Sequence, residues 1–188
     1  DLYRDATQTV FSDGQAEAGV VMVGEAPGDK EDLQGRPFVG PAGQLLDRAL
    51  AEAGLDRRRV YLTNAVKHFK FERRGKRRIH QKPDSGEIAA CKFWLLQELD
   101  LIRPRLIVAL GATAARALTG RIVTIGRERG QLRPYPPDAQ LLITVHPSYL
   151  LRVENEAAAA AEYRRFVQEL GLVRDALAAP GTPDQAPE

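Results

Sequence analysis

Cys91 is the only cysteine in 188 residues, so no internal disulfide can form, and a reducing cytoplasm is the expected surrounding. The three histidines and that one thiol are too scattered to make a zinc site by spacing. No stretch approaches the roughly 18 consecutive apolar residues of a membrane span, and no signal peptide heads the sequence, so no membrane partner is expected. A GxGxxG turn and the Gly-Lys-Ser/Thr end of a phosphate loop are both missing, which argues against a dinucleotide or nucleoside triphosphate cofactor. There is no internal repeat. Aromatic residues make up only 6% of the chain, so Phe38, Phe69, Phe71, Trp94 and Tyr149 each invite individual placement.

What is present is concentrated. The chain carries a net charge of +2, yet Lys67, Lys70, Arg73, Arg74, Lys76, Arg77, Arg78 and Lys82 fall in one short segment that contains a single acid, Glu72. A protein that gathers its positive charge in one place offers a seat for a polyanion. A bare basic run can equally be a solvated loop. His80, near the end of the run, raises the interest of this one.

Length and a 44% hydrophobic content suit one globular domain. It is expected over 1–172, with a disordered Ala/Pro/Gly/Gln tail at 173–188. Four apolar, β-branched runs at 19–24, 60–66, 105–110 and 140–145 read as strands buried on both faces. Helices are predicted over 42–53, 86–102, 113–118 and 157–170, the second capped by Asp84 or Ser85. The segment between the first strand and the first helix reads as a long loop, and the basic segment as another. Strand–helix alternation predicts a three-layer α/β/α domain with a four-stranded parallel sheet. In such a sheet ligands bind beyond the carboxyl ends of the strands. Glu25, Asn64, Gly111 and His146 all follow or end a strand, so parallel strands would gather them at one edge.

Each of these positions has a bland reading beside a chemical one. Gly24-Glu25-Ala26-Pro27-Gly28 is a tight turn whose backbone can approach a ligand, or simply a turn. Asn64 can end a strand by capping a turn, or can offer a carbonyl and an amide together, the pair that matches the N3–H and O4 edge of uracil. Phe38 in its Pro/Gly loop is a loop anchor or a platform for a flipped base. His146-Pro147-Ser148-Tyr149-Leu150-Leu151-Arg152 starts a helix or presents a wedge to duplex DNA. A lone His80 among cations is solvated, or is a neutral, nucleophilic imidazole kept deprotonated by its neighbours.

Gly24-Glu25-Ala26-Pro27-Gly28, Gly35-Arg36-Pro37-Phe38-Val39-Gly40, Thr63-Asn64-Ala65-Val66-Lys67-His68 and His146-Pro147-Ser148 together resemble the uracil-DNA glycosylase superfamily, nearest its iron–sulfur families. Lys76-Arg77-Arg78-Ile79-His80 resembles the signature loop of its UdgX branch. The resemblance covers roughly 1–170. It implies excision of uracil from DNA, with uracil-containing DNA as partner, free uracil as product and a monomer as the working form. It implies that Gly24, Ala26, Phe38, Asn64 and His146 surround the base. His80 would attack C1′ of the deoxyribose and stay attached, with Glu25 orienting it or stabilising the sugar cation. Lys76, Arg77, Arg78, Ser148, Tyr149, Leu150 and Arg152 would meet the DNA. It further implies a 4Fe-4S cluster with Cys91 and His68 as two ligands and a Cys-x-x-Cys pair expected before Asp1, which this chain does not contain. The chain departs from the branch at Ala26, where a glutamine is usual.

Three functions follow. The first is a glycosylase trapped on its own product through His80. The second is an ordinary multiple-turnover glycosylase in which Glu25 activates water. The third is a DNA-binding module on the same fold, indifferent to uracil and sensitive to salt.

Overall fold

The computed structural model describes residues 2–179, so the part of the expected tail at 180–188 lies outside the described residues. The main sheet holds five strands: β1 (Val20–Gly24), β2 (Val60–Asn64), β5 (Leu106–Leu110), β6 (Leu132–Tyr135) and β7 (Ala139–Thr144), in the order β2-β1-β5-β7-β6. The first four in that order run parallel, as expected. The fifth, β6, is antiparallel to β7 and was not legible in the sequence. Its Pro134 removes a ladder donor, which a strand tolerates only at an edge. β3 (Phe71–Arg74) and β4 (Arg77–His80) form a separate antiparallel hairpin, so the basic segment is not the loop its composition suggested.

Strand alternation builds the two cores. Val21, Val23, Tyr61, Ile107, Ala109, Leu141 and Ile143 pack on one face against α3 (Ser85–Ile102) and α4 (Ala112–Thr119). Val20, Met22, Val60, Leu62, Val108, Leu110 and Leu142 pack on the other against α2 (Pro41–Glu52) and α7 (Glu156–Ala178). Every residue of β1, β2 and β5 is buried, the signature of a parallel sheet covered on both sides. Three short helices complete the fold: α1 (Asp29–Gln34), inside the predicted long loop, α5 (Ile125–Glu128) and α6 (Pro147–Leu150). α7 runs to Ala178, six residues into the expected tail, because Val173 is fully buried against the second core. No helix among the described residues is long and apolar enough to cross a membrane.

α3 begins at a reciprocal cap: Asp84 accepts from the N–H groups of Gly86 and Glu87 at 2.8 and 3.0 Å, and the Glu87 carboxylate accepts from the Asp84 N–H at 2.7 Å. Farther along, α3 supplies the buried Glu98. Lys67, counted on sequence grounds with the basic run, is no surface cation. It is fully buried, pairs with Glu98, and donates to Thr63 Oγ1 at 2.6 Å and to the Asn64 carbonyl at 2.8 Å. Tyr61 and Thr63 hydroxyls also donate to the Glu98 carboxylate. The network braces the end of β2, where Asn64 sits. Lys67→Met leaves Glu98 as a buried charge without its cation, and is expected to lower unfolding free energy by about 3–5 kcal/mol. Urea unfolding checks this: Lys67→Met/Glu98→Leu should recover most of the loss, and a single-variant loss below about 1 kcal/mol would contradict the pairing.

Candidate active site

The parallel topology brings Glu25, Asn64, Gly111 and His146 to one edge of the sheet, as the strand ends predicted. Gly24 and Asn64 are register partners at the last rung of β1 and β2. Past that rung the exits stay together, the Ala65 and Val66 N–H groups bonding to the Gly24 and Glu25 carbonyls at 2.9 and 3.0 Å. The Asn64 side chain is buried, with its Oδ1 against the Gly24 backbone and beside the Phe38 ring. An amide at this position can offer a ligand edge a carbonyl acceptor and an N–H donor together.

Phe38 lies beside it. Its φ is +56°, a left-handed conformation that is uncommon away from glycine and that clusters where strain serves a site. Two glycines make room for it. A Cβ on Gly24 would stand 2.3 Å from Asn64 Oδ1 and 2.6 Å from Phe38 Cζ; one on Gly43, in α2, would strike the Phe38 carbonyl at 1.7 Å. The Phe38 ring lies 6.0 Å from the His146 ring at an interplanar angle of 27°, so the two aromatic faces are nearly parallel. Ala26 is half-buried against the first core.

His146 caps α6. Its Nδ1 accepts the Ser148 N–H at 3.1 Å and lies 2.8 Å from Ser148 Oγ. A backbone N–H can only donate, so Nδ1 is the unprotonated nitrogen and the neutral ring carries its proton on Nε2. Burial, then the nearby charges of Arg152 and His80, push the His146 pKa down to about 4. The ring is therefore neutral near pH 7 and offers one fixed N–H donor. Ser148, expected at the DNA, thus also sets this tautomer.

Glu25 is held by Thr113, whose hydroxyl donates to its Oε2 from the first turn of α4. Its Oε1 stands 3.9 Å from His80 Nε2, beyond a direct hydrogen bond. The His80 pKa lies below the ordinary imidazole value: burial dominates, the Glu25 charge opposes it, and Arg152 adds to it. His80 is the last residue of β4, cross-strand from Phe71. The pleat divides Lys76-Arg77-Arg78-Ile79-His80 by face, because side chains alternate along a strand. Arg78 shares the His80 side and Arg77 does not.

That division corrects the reading of Arg78 as a DNA contact. Its guanidinium is committed to Asp29 and Asp32, at 2.6 Å each, with Thr7 Oγ1 at 3.2 Å. It also lies 5.2 Å from the centroids of both Phe69 and Phe71, which stack on each other. Its side chain is only 13% exposed. Asp32 is fully buried; burial opposes its ionisation, but hydrogen bonds from Thr7, Arg78 and Gln8 outweigh that and keep its pKa below the ordinary range. Lys76, Arg77 and Arg152 are exposed and have no acidic partner among the described residues, as phosphate contacts require. Leu150, expected beside them, is buried at 6% in the second core; Tyr149 and Leu151, 43% and 50% exposed, are the apolar side chains left facing out.

Cys91 and His68 line one cavity, where His68 Nε2 is 2.9 Å from Thr9 Oγ1. Among the described residues no three His, Cys, Asp or Glu side chains come together to hold a metal. Cys91 and His68 by themselves are two of the four ligands that an iron–sulfur cluster takes. Sequence reasoning missed Asp29, Glu31, Asp32 and Thr113. The first three sit on α1, and the acid-rich turn after Gly28 was the available sign of a helix start.

The family model of the uracil DNA glycosylase superfamily matches residues 11–171. The chain is 40% identical over 169 residues to a type-4 uracil-DNA glycosylase of Thermotoga maritima, covering 89% of this chain and 82% of that protein. Type-4 uracil-DNA glycosylases of Pyrobaculum aerophilum and Archaeoglobus fulgidus are 39% and 36% identical, each over 158 residues, about four-fifths of this chain and 77% and 76% of those proteins. With Asn64, the Phe38 ring and a neutral His146 gathered at the strand ends, these matches mean that the chain belongs to the uracil-DNA glycosylase superfamily.

Proposed function

We propose that this protein excises uracil from DNA and then remains attached to the abasic sugar through His80. The observation that carries the proposal is the approach of His80 Nε2 to 3.9 Å from Glu25 Oε1, on the same edge as Asn64, Phe38 and His146. In the proposed chemistry uracil leaves the duplex and stacks on Phe38, while Asn64 reads its N3–H and O4 edge. The C1′–N1 bond breaks with its electron pair going to the base, which creates a uracil anion and a cationic, oxocarbenium-like sugar. The His146 Nε2–H donates to an oxygen of the departing anion, and the Glu25 carboxylate faces the positive sugar. The His80 Nε2 lone pair then bonds to C1′. The ring becomes cationic and is neutralised by loss of its Nδ1 proton, and the uracil anion takes a proton from solvent.

Similarity to type-4 enzymes favours a second reading, in which Glu25 activates water and the enzyme turns over. A denaturing gel with a labelled uracil-containing oligonucleotide separates the two. A band that survives heat and detergent, absent with thymine, is expected for the wild type. His80→Ala is expected to abolish it, with slow hydrolysis into the vacated space as the remaining activity. An undiminished band from His80→Ala would refute the attachment, and alkali-labile strand scission without any band would establish the turnover enzyme.

The rate of attachment should be level from pH 8 down to about 6.5, the ordinary imidazole value, and fall only below it. The sign follows from the depressed His80 pKa: the neutral nucleophile dominates above that pKa and is lost as pH drops through it. His146, held at about 4, stays a neutral donor across the same range. Single-turnover rates against pH check this, and a rate that already falls between pH 8 and 7 would contradict it.

Arg77 and Arg78 are predicted to differ. Arg77→Ala should weaken DNA binding uniformly and reduce the slope of log K against log salt by about 1, the loss of one phosphate contact. Arg78→Ala should leave that slope alone and slow attachment by about 10-fold or more, because the hairpin loses its tether and the nucleophile its position. Salt titrations and single-turnover kinetics of both variants give the comparison, and equal slopes for the two would sink it.

A further inference from the structure

Two loops must be set against each other before the pocket can work: the turn carrying Glu25 and the loop carrying Phe38. One carboxylate joins them. Glu31, in α1, accepts the Gly28 N–H on Oε2 at 3.2 Å and the Gly40 N–H on Oε1 at 2.8 Å. Gly28 closes the Glu25 turn, and Gly40 follows Phe38 by two residues and starts α2. Both bonds are charge-assisted, the stronger kind.

The glycines explain themselves by this carboxylate. Gly28 has φ −94° and Gly40 φ −86°, extended backbone open to any residue, so neither position needs glycine for its conformation. What they need is space. A Cβ at 28 would stand 2.7 Å from Glu31 Oε2, and one at 40 would stand 3.0 Å from Oε1. Helix capping explains only the first bond, a local contact from the third helical residue back to the cap. The second spans nine residues and reaches the segment that holds Phe38 at its positive φ. Such a backbone persists only when its surroundings over-determine it. Gly43 leaves room for the Phe38 carbonyl on the α2 side, and Glu31 holds the chain just beyond it.

We infer that Glu31 is a positioning residue that clamps the Glu25 turn to the Phe38 loop, so that the sugar end and the base end of the substrate meet their partners at once. The inference rests on the proposed excision of uracil with Phe38 beneath the base. It assigns Glu31 no contact with substrate.

Single-turnover excision by wild type, Glu31→Ala, Glu31→Gln, Phe38→Ala and Glu31→Ala/Phe38→Ala tests it. Glu31→Ala should lower the saturating rate by about 10-fold to 100-fold, the usual consequence of a small misplacement. The half-saturating protein concentration should change by less than about 3-fold, since exposed cations of the hairpin supply DNA affinity. Glu31→Gln keeps an oxygen for only one of the two N–H groups and should recover only part of the rate. In the Phe38→Ala background, removing Glu31 should cost no more than about 2-fold further, the non-additivity of groups acting as one unit. If Glu31→Ala proves poorly folded, Glu31→Asp, one methylene too short to reach both N–H groups, should show the same loss of rate at unchanged affinity. A Glu31→Ala rate near wild type, or an undiminished effect in the Phe38→Ala background, would leave Glu31 as a helix cap and overturn the clamp. A wild type that releases no uracil would instead refute the function proposed for the site.

Discussion

The guanidinium of Arg78 is where the candidate chemistry is anchored. It sits between Asp29 and Asp32 on α1 and above the stacked rings of Phe69 and Phe71. β3 and β4 have no third strand among the described residues, and an isolated two-stranded hairpin is marginal in water. What holds this one to the domain is the planar, permanently charged fork of an arginine that meets two carboxylates and two aromatic faces together. Because Arg78 and His80 lie two residues apart on one strand, the tether that docks the hairpin also points His80 at Glu25. A lysine could satisfy one carboxylate but neither the fork nor the stacking.

Around that anchor the pocket is shaped largely by atoms that are missing. Gly24 admits Asn64 and Phe38, Gly43 admits the Phe38 carbonyl, and Gly111, at φ +93°, passes 3.1 Å from the His146 Cβ at its own Cβ position. Each lets two segments from different parts of the chain approach more closely than any larger residue would allow. Electrostatics is arranged with the same economy. Burial is the main reason both His80 and His146 bind protons weakly, and Arg152, an exposed cation, adds to it at both rings.

The four parallel strands and the convergence of Glu25, Asn64 and His146 were legible because buried strands and the glycine turns that end them are local patterns, read over five or six residues. β6 and the hairpin were not. Pro134 and the density of arginines hide the period-2 signal, and pairing with β7 or between β3 and β4 is settled by neighbours rather than by propensity. Leu150 and Leu151 are equally apolar; only helix α6, packed on α2 and α7, turns the first inward and leaves the second exposed.

The sequence by itself determined which chemical groups are available: an amide, a carboxylate, two imidazoles, a platform ring and a surplus of cations. Composition and order suffice for that inventory. Only the tertiary structure decided how each group is used. Lys67, Arg77 and Arg78 have the same formal charge, but one is buried against Glu98, one is free at the surface, and one is locked to acids 46 and 49 residues away. Ion pairs and close contacts depend on distance in space, and chain separation carries almost no information about that distance until the sheet has brought the segments together.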